Sequence, residues 1–479
     1  MSESTKPAPS AFPLVAALTA VLVAHRAAFG QARPAQRLTG LVVGWLLALE
    51  RHTVTRVLAA LGLVDADWSA FYRLLGTPRF DYDRLTRCLL GETLPLGDAA
   101  RPYLVVLDGV LVPRHSRTMP GTGWALAPGT APFKRGLQRA QRFVDLCWLP
   151  QPTAAGYSRA VPLRWDPAFP PKAVPATGIA PCTEWEAGVA QLSWLRTALA
   201  AAGRPDQRLL AIADAGFGSK GMWQGLPDGV DLLARCAKNR ALFALPTPPV
   251  PGTRGRKRRY GAQAPHPADW LAERGGWSRA TLAVRGRTIP VTYRAEGPYL
   301  LDGVATRPLF LLVVTGIAKR SPRHKRRDPA FWLVSARRGD DGAWGLPYPA
   351  EDLLAWAWQR WEVEVAHREQ KTGFGLGEPQ CWGPRAAVTA VQLAGWIYGI
   401  TVLAGLTAWG QGRAPTVPPT RWWRGGGRWS LGQLWTALRA ELWDLGEFRP
   451  VWSRTGGNWS EMADWWDAQT NALLGASRT

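Results

Sequence analysis

The sequence contains few cysteines and histidines, and neither residue type follows the spacing of a structural framework. The five cysteines are odd in number, lie far apart and include no CxxC pair: Cys88, Cys147, Cys182, Cys236 and Cys381. The six histidines are also scattered. This distribution argues against a disulfide-stapled secreted domain and against a cysteine-based zinc site. We therefore expect a cytoplasmic protein.

Acidic residues are scarce relative to basic ones. The chain has 36 Asp and Glu against 58 Lys and Arg, a net charge of +22. Positive charges in such excess repel one another in a compact chain, and they attract the phosphate backbone of nucleic acids. Nucleic acid is therefore the expected partner. An anionic membrane surface and a basic genome composition are the alternatives. The 47% hydrophobic content and the 479-residue length predict a folded protein of two to four structural units.

Long uncharged apolar runs are limited to two. Residues 11–24 end at His25 and Arg26 without a small-residue cleavage site, which favours a core helix over a signal peptide. Residues 386–409 are long enough to span a bilayer, but Gln392, three threonines and three glycines dilute the run. We expect a buried helix there and no membrane partner.

Residues 12–95 have the pattern of helices throughout. The segment HTVTRVLAALGLVDADWSAFYRLLG resembles a helix-turn-helix, with Gly62 closing the first helix and Asp67 capping the second. The second helix would present Ser69 and Arg73 to a DNA groove. A plain helical hairpin is the alternative.

Apolar strands begin near residue 101. Five are predicted, at 103–112 (YLVVLDGVLV), 142–149 (RFVDLCWL), 159–165 (RAVPLRW), 208–218 (RLLAIADAGFG) and 230–237 (VDLLARCA). A helix that starts at Thr183 and is closed by Gly203 separates the third strand from the fourth. This order predicts an α/β layer with mixed strand pairing.

Two basic runs flank a stretch with the pattern of β-hairpins. Residues 246–270 include RGRKRRYG, and residues 319–328 read KRSPRHKRRD. Both runs are either solvated loops or contacts for phosphate. The residues predicted to contact DNA here are Arg256, Lys257, Arg258, Lys325 and Arg326.

Two acids interrupt otherwise apolar strands. Asp108 and Asp214 each lie at or near a strand's carboxyl end and precede a small residue. A lone carboxylate in that position carries a large desolvation cost, and two neighbouring ones repel each other. A divalent cation between them removes the conflict, and oxygen ligands suit Mg²⁺ or Mn²⁺. A third carboxylate would complete a two-metal site for displacement at a phosphate.

The segment WQRWEVEVAHREQKTGFGLG at 358–377 predicts a helix that carries this third carboxylate, Glu364. Arg360 and Lys371 share a face with Glu364, where they would hold the phosphate. An apolar stripe would fix the helix on a sheet, formed by Leu354, Trp358, Trp361 and Val365. The alternative is an ordinary surface helix with an Arg–Glu pair.

The ordered motifs VLDGV, IADAGFGS and RW-x-x-E-x-x-x-x-x-x-K, over about residues 40–405, resemble bacterial insertion-sequence transposases of the DDE type. The resemblance implies a ribonuclease-H-like core with Asp108, Asp214 and Glu364 as the catalytic, metal-binding triad. Two Mg²⁺ ions, with Mn²⁺ as a substitute, would occupy the site.

The late signature of these transposases is Tyr-x-x-Arg-x-x-x-Glu-x-x-x-x-x-x-Lys. Arg360, Glu364 and Lys371 match it and would contact DNA phosphate, whereas Ala357 stands at the Tyr position. A neighbouring tryptophan, at 356 or 358, is predicted to supply the aromatic group. His367 lies where an aromatic residue is frequent, and its role is left open.

We expect an α/β protein with a ribonuclease-H-like mixed sheet, flanking helices and five regions. These are a helical DNA-binding domain (1–98), the core (99–245 and 331–411), a basic β-rich insertion (246–330) and a Trp-rich C-terminal region (412–479). The resemblance implies a transposase that acts on terminal inverted repeats and target DNA, as a homodimer in a synaptic complex at the nucleoid. A same-fold nuclease without strand transfer and a catalytically silent DNA-binding protein are the alternatives.

Overall fold

A computed structural model describes residues 11–49, 51–61, 63, 67–77, 79–127, 136–173, 179–247, 258–315, 329–414 and 426–444. The N-terminal part is helical, as predicted. Its helices are α1 (Pro13–His25), α2 (Ala32–Leu47), α3 (Val54–Ala60), α4 (Ser69–Gly76) and α5 (Tyr82–Thr93).

The predicted recognition helix corresponds to α4. Ser69 and Arg73 are exposed, as expected, while the opposite side of α4 packs on a long helix described below. The predicted cap is displaced by one residue, because Trp68 and not Asp67 is the N-cap. Asp67 still assists the helix start, since its Oδ1 accepts a hydrogen bond from the Ser69 N–H at 2.9 Å.

Eleven strands form one sheet in the described part of the chain. They are β1 (Tyr103–Pro113), β2 (Thr122–Leu126), β3 (Leu137–Leu149), β4 (Val161–Pro167), β5 (Leu209–Ala213), β6 (Val230–Arg235), β7 (Leu242–Ala244), β8 (Ser278–Val284), β9 (Arg287–Leu301), β10 (Val304–Thr315) and β11 (Ala330–Ser335). A separate ribbon consists of β12 (Arg337–Arg338) and β13 (Trp344–Gly345).

The centre of the sheet has mixed pairing. Strand β3 is antiparallel to both β4 and β1, whereas β1, β5 and β6 run parallel to one another. All five residues of β5 are buried, as the continuous apolar run predicts for a strand covered on both faces. An antiparallel meander that continues into two parallel strands is the order expected of a ribonuclease-H-like core.

The β-rich stretch after β6 extends the same sheet. Strand β11 joins β6, and β10, β9 and β7 follow in that order, with β8 on β9. The turn between β8 and β9 is Arg285-Gly286, and both residues have positive φ, 51° and 75°. Two-residue hairpin turns with positive φ match the twist of the flanking strands. The predicted hairpins are confirmed, and the domain boundaries stay predictions.

Of the remaining helices, five pack on the sheet and the last packs on other helices. They are α6 (Glu184–Ala201), α7 (Lys220–Gly225), α8 (Ala350–Gln359), α9 (Trp361–Thr372), α10 (Pro384–Trp409) and α11 (Leu431–Asp444). Helix α6 starts where predicted, because Thr183 and Glu186 form a reciprocal capping box. Helix α11 docks on α2, where the Trp435 indole N–H donates to the Leu46 carbonyl at 2.6 Å.

Helix α10 contains the long uncharged run. It is long and apolar enough to cross a membrane, yet 89% of its apolar window is buried inside the protein, against α1, α4 and β4. The glycines that dilute the run allow β4 to approach. A Cβ at Gly395 would lie 2.4 Å from the Trp165 ring, and one at Gly399 would lie 2.6 Å from the Pro162 carbonyl. The predicted buried helix is confirmed.

The segment predicted as one helix from residue 358 consists of parts of two. Helix α8 ends at Gln359 and α9 begins at Trp361, and the Val363 N–H bonds to the Arg360 carbonyl, one residue closer than in an α-helix. The tighter turn interrupts the 3.6-residue spacing. The predicted apolar stripe is therefore wrong at Trp361, whose side chain is 50% exposed, although Val365 is buried.

Candidate active site

The sheet brings Asp108 and Asp214 together. Leu107 of β1 pairs with Ala213 of β5 in parallel register, so the next residues, Asp108 and Asp214, lie side by side. The Asp108 side chain is 16% exposed. Asp214 is partly buried, and its Oδ1 accepts the Gly216 N–H at 2.8 Å, which fixes the carboxylate at the end of β5.

Helix α9 carries Glu364, and Arg360 links this glutamate to Asp108. The Arg360 guanidinium lies 4.0 Å from Asp108 Oδ2 and also hydrogen-bonds Glu364 Oε1, four residues along the chain. The predicted Arg–Glu pair therefore exists, but it lies beside Asp108 and is not an isolated surface pair. Glu364 remains one-third exposed.

Burial raises the pKa of Asp108 to about 6. His367 and Arg360 oppose this shift, whereas the neighbouring carboxylates of Asp214 and Glu364 add to it. Ionised Asp108 is therefore incompletely compensated, and a bound cation would favour its charged form.

Lys371 completes the cationic side of the site. Burial lowers the pKa of its ammonium group, and the Asp108 carboxylate acts in the opposite direction. Lys371 thus lies within electrostatic range of Asp108. Of the three signature residues, Arg360 lies 4.0 Å from this aspartate, and the charges of Glu364 and Lys371 interact with it.

Glu362, another glutamate of α9, has partners away from Asp108. Its side chain is 1% exposed. Arg285, from the β8–β9 turn, donates to Oε1 at 2.6 and 2.8 Å, and Arg428 donates to Oε2 at 2.6 Å. Its two oxygens are therefore engaged in structural ion pairs.

The carboxylate of Glu369 also has structural partners. Arg159 donates to its Oε2 at 2.7 Å, and the Tyr398 hydroxyl donates to the same oxygen at 2.6 Å. Of the three glutamates of α9, Glu364 is the one whose charge influences Asp108.

The signature's tyrosine position is buried. Ala357 is 5% exposed within α8. Trp356 packs inside the fold, where its indole N–H donates to Gln151 Oε1 at 3.2 Å. Trp358 is only partly buried and is the more accessible of the two tryptophans predicted to replace the tyrosine.

Sequence reasoning missed two residues near the site, Asp145 and Glu184, and left the role of a third, His367, open. Asp145 pairs directly with Asp108 across β3 and β1, and it interrupts an apolar strand in the same way, a signal that identifies it. His367 contacts both aspartates. Glu184, at the start of α6, approaches so closely that a Cβ at Gly109 would lie 2.4 Å from its Oε1. Burial and Asp214 raise the pKa of Glu184, and no local pattern indicates its position.

The described residues contain no group of three or more His, Cys, Asp or Glu side chains already arranged to hold a metal ion. The donor chemistry nevertheless fits a hard divalent cation, since Asp214 and Glu364 both act on partly buried Asp108 and all three offer oxygen. To complete such a site, Glu364 would exchange Arg360 for the ion.

The predicted DNA contacts outside this site belong to other segments of the chain. Ser69 and Arg73 are exposed on α4, and Arg258 is exposed before β8. The other four predicted residues are outside the described part of the chain: Arg256, Lys257, Lys325 and Arg326.

A family model described as DDE superfamily endonuclease matches residues 26–295, more than half of the chain. The chain belongs to this family. Membership supports metal-dependent nuclease or polynucleotidyl transferase activity on DNA, and with the sheet order it identifies a ribonuclease-H-like fold. Endonucleases of this superfamily generally use divalent metals. Among curated proteins, none matches the chain. The matched region of this DDE endonuclease contains Asp108 and Asp214 and ends before α9.

Proposed function

We propose that this DDE endonuclease is a DNA transposase that cuts insertion-sequence ends and rejoins them to target DNA. Asp108, Asp214 and Glu364 form its catalytic triad and hold the metal. The main support is the convergence of these carboxylates. Asp108, which lies in the middle of β1 and not near its carboxyl end as predicted, is beside Asp214 at the end of β5, and the third carboxylate comes from α9.

The residues around the triad have distinct tasks. Two bound Mg²⁺ ions, with Mn²⁺ as a substitute, would activate the attacking oxygen and stabilise the leaving oxygen. Arg360 and Lys371 hold the phosphate in line with the attacking group. Water attacks first and frees a 3′ hydroxyl, which then attacks target DNA at the same site.

DNA recognition involves other parts of the chain. Ser69 and Arg73 on the exposed side of α4 contact the terminal inverted repeats, and the basic residues around Arg258 contact flanking or target DNA. The net charge of +22 supports association with double-stranded DNA in the cytoplasm, at the nucleoid. Two ends must be joined, so the active form is a homodimer in a synaptic complex.

Strand transfer tests this function directly. Purified protein is incubated with pre-cleaved 3′ ends, taken from the DNA that flanks the gene, and with a target plasmid and Mg²⁺. A transposase gives joined products, which Asp108→Asn does not. A parallel reaction with uncleaved end DNA measures cleavage. Cleavage there without joining in the first reaction would identify a nuclease of the same fold, and DNA binding without either reaction would identify a silent DNA-binding protein.

A further inference from the structure

A fully buried aspartate lies beside the candidate active site. Asp145 of β3 and Asp108 of β1 are directly paired in antiparallel register, so their side chains project from the same face of the sheet. The Asp145 side chain is 0% exposed. A buried carboxylate is costly unless it is paired, so its partners matter.

The main partner of Asp145 comes from α9. His367 Nε2 lies 3.1 Å from Asp145 Oδ2, and the Cys147 thiol donates to the same oxygen at 3.2 Å. Burial raises the pKa of the Asp145 carboxyl, and the hydrogen bond with His367 opposes that shift. The other carboxylate oxygen, Oδ1, has no hydrogen-bond partner in the described structure. Asp145 therefore relies on His367 for much of its compensation.

The second ring nitrogen of His367 faces the candidate site. Its Nδ1 lies 3.7 Å from Asp108 Oδ2. The ring is 9% exposed and packs edge-on against Trp165, with centroids 5.9 Å apart. His367 is three residues after Glu364 on the same helix. One buried ring thus joins β3, β1 and the helix that carries Glu364.

We propose that Asp145 and His367 are positioning residues, which orient the Asp108 carboxylate and set its separation from Glu364. Asp145 fixes the ring through Nε2, and the ring edge that carries Nδ1 then lies against Asp108, 3.7 Å from its Oδ2. This inference rests on the proposed function, because it assigns Asp108 and Glu364 to one metal site. Neither positioning residue touches the substrate. Partners that orient metal ligands in this way commonly change metal affinity by about 10- to 100-fold when removed.

Substitutions of His367 separate positioning from simple packing. His367→Gln keeps an N–H that reaches Asp145 and removes the group that faces Asp108. The double variant His367→Phe with Asp145→Leu removes the buried pair as a unit, so that no unpaired charge remains. His367→Phe alone leaves Asp145 without its main partner. Full-length proteins are compared by thermal unfolding, by Mn²⁺ binding without DNA, and by cleavage of end DNA.

We expect His367→Phe to lower Tm markedly and the double variant to recover most of that loss. Both the double variant and His367→Gln should bind Mn²⁺ at least about 10-fold more weakly and cleave more slowly. Normal Mn²⁺ affinity in His367→Gln would overturn the inference and leave His367 as a packing residue. If the double variant does not fold, His367→Gln decides alone.

Asp108→Asn distinguishes this inference from the proposed function. If it abolishes specific Mn²⁺ binding while His367→Gln leaves binding normal, only the positioning role is wrong. If Asp108→Asn binds Mn²⁺ as the parent does, the metal site itself is wrong.

Discussion

Helix α9 has two sides, and its glutamates meet different partners on each. Glu364 faces Asp108 and shares Arg360 with it. Glu362 lies between two arginines, and Glu369 receives an arginine and a tyrosine hydroxyl. The acids differ in solvent exposure as well, since Glu364 is 33% exposed and Glu362 is 1% exposed.

This difference separates structural carboxylates from candidate catalytic ones. A carboxylate whose oxygens are taken up by fixed cations stabilises the fold and has little capacity for a further ion. A carboxylate that shares one arginine with another acid is undercompensated, and it gains most from a mobile cation. The site side of α9 is of the second kind.

The largest expected effect is the loss of DNA cleavage when a carboxylate of the candidate active site is substituted. Asp108→Asn, Asp214→Asn and Glu364→Gln should each slow DNA cleavage by at least about 100-fold, because each removes part of the charge that binds metal. Binding to end DNA should stay within a few fold, as measured by gel shift. Glu351→Gln, on the exposed side of α8, is the matched control. Normal cleavage by Glu364→Gln would contradict its assignment as the third ligand.

Substitution of Glu362, on the opposite side of α9, should lower the stability of the folded protein. Glu362→Gln leaves Arg285 and Arg428 without a charged partner around a buried position, and breaking such a pair costs about 3 kcal/mol. Thermal or urea unfolding should show this loss, whereas Glu364→Gln should change stability by less than about 1 kcal/mol. Equal destabilisation by both variants would remove the distinction between the two sides.

The stability of the metal-free protein should fall as pH rises, because the carboxyl group of Asp108 must ionise while it is buried. Its pKa in the fold is about 6, above the ordinary value of 3.8, so between these values the folded state binds more protons than the unfolded state. For this group, the free energy of unfolding is greatest below pH 4 and falls as the pH rises through 6, by about 3 kcal/mol in total. Asp108→Asn should lack this fall and exceed the parent in Tm at pH 7.5. An unchanged pH profile in Asp108→Asn would contradict the assignment.

The smallest effect is expected far from α9. Arg73 is 68% exposed on α4, and Arg73→Ala should weaken binding to end DNA a few fold and reduce the salt dependence by about one phosphate contact. Fluorescence anisotropy at several salt concentrations measures both. Arg87→Ala, at an exposed arginine on neighbouring α5, provides the control. Equal losses in both variants would indicate a general charge effect and no recognition by α4.

The parts of the fold that sequence predicted were determined locally. β1 and β5 could be identified because strands buried on both faces need continuous apolar runs, and α6 because Thr183 and Glu186 cap its start. Asp108 and Asp214 were visible as interruptions of such runs. Asp145 gave the same signal in RFVDLCWL and was passed over.

The parts that sequence did not predict depend on distant contacts. Arg285 and Arg428 meet Glu362 across 77 and 66 residues of chain, and no local pattern specifies such pairings. The break at Arg360 involves neither proline nor glycine. The helix propensities of the surrounding residues therefore do not predict the break. The exposure of Trp361 is a consequence of the break.

The partners of Glu362 change how a deletion near the end of the chain should be read. Arg428 precedes α11 and belongs to the region described from the sequence as Trp-rich, residues 412–479. A protein truncated before this residue would lose one of the two cations that hold the back of α9. A loss of activity would then indicate that α9, which carries the proposed third ligand, is less firmly held, and not that a binding domain is missing. Restoring residues 426–444 alone would be the informative comparison.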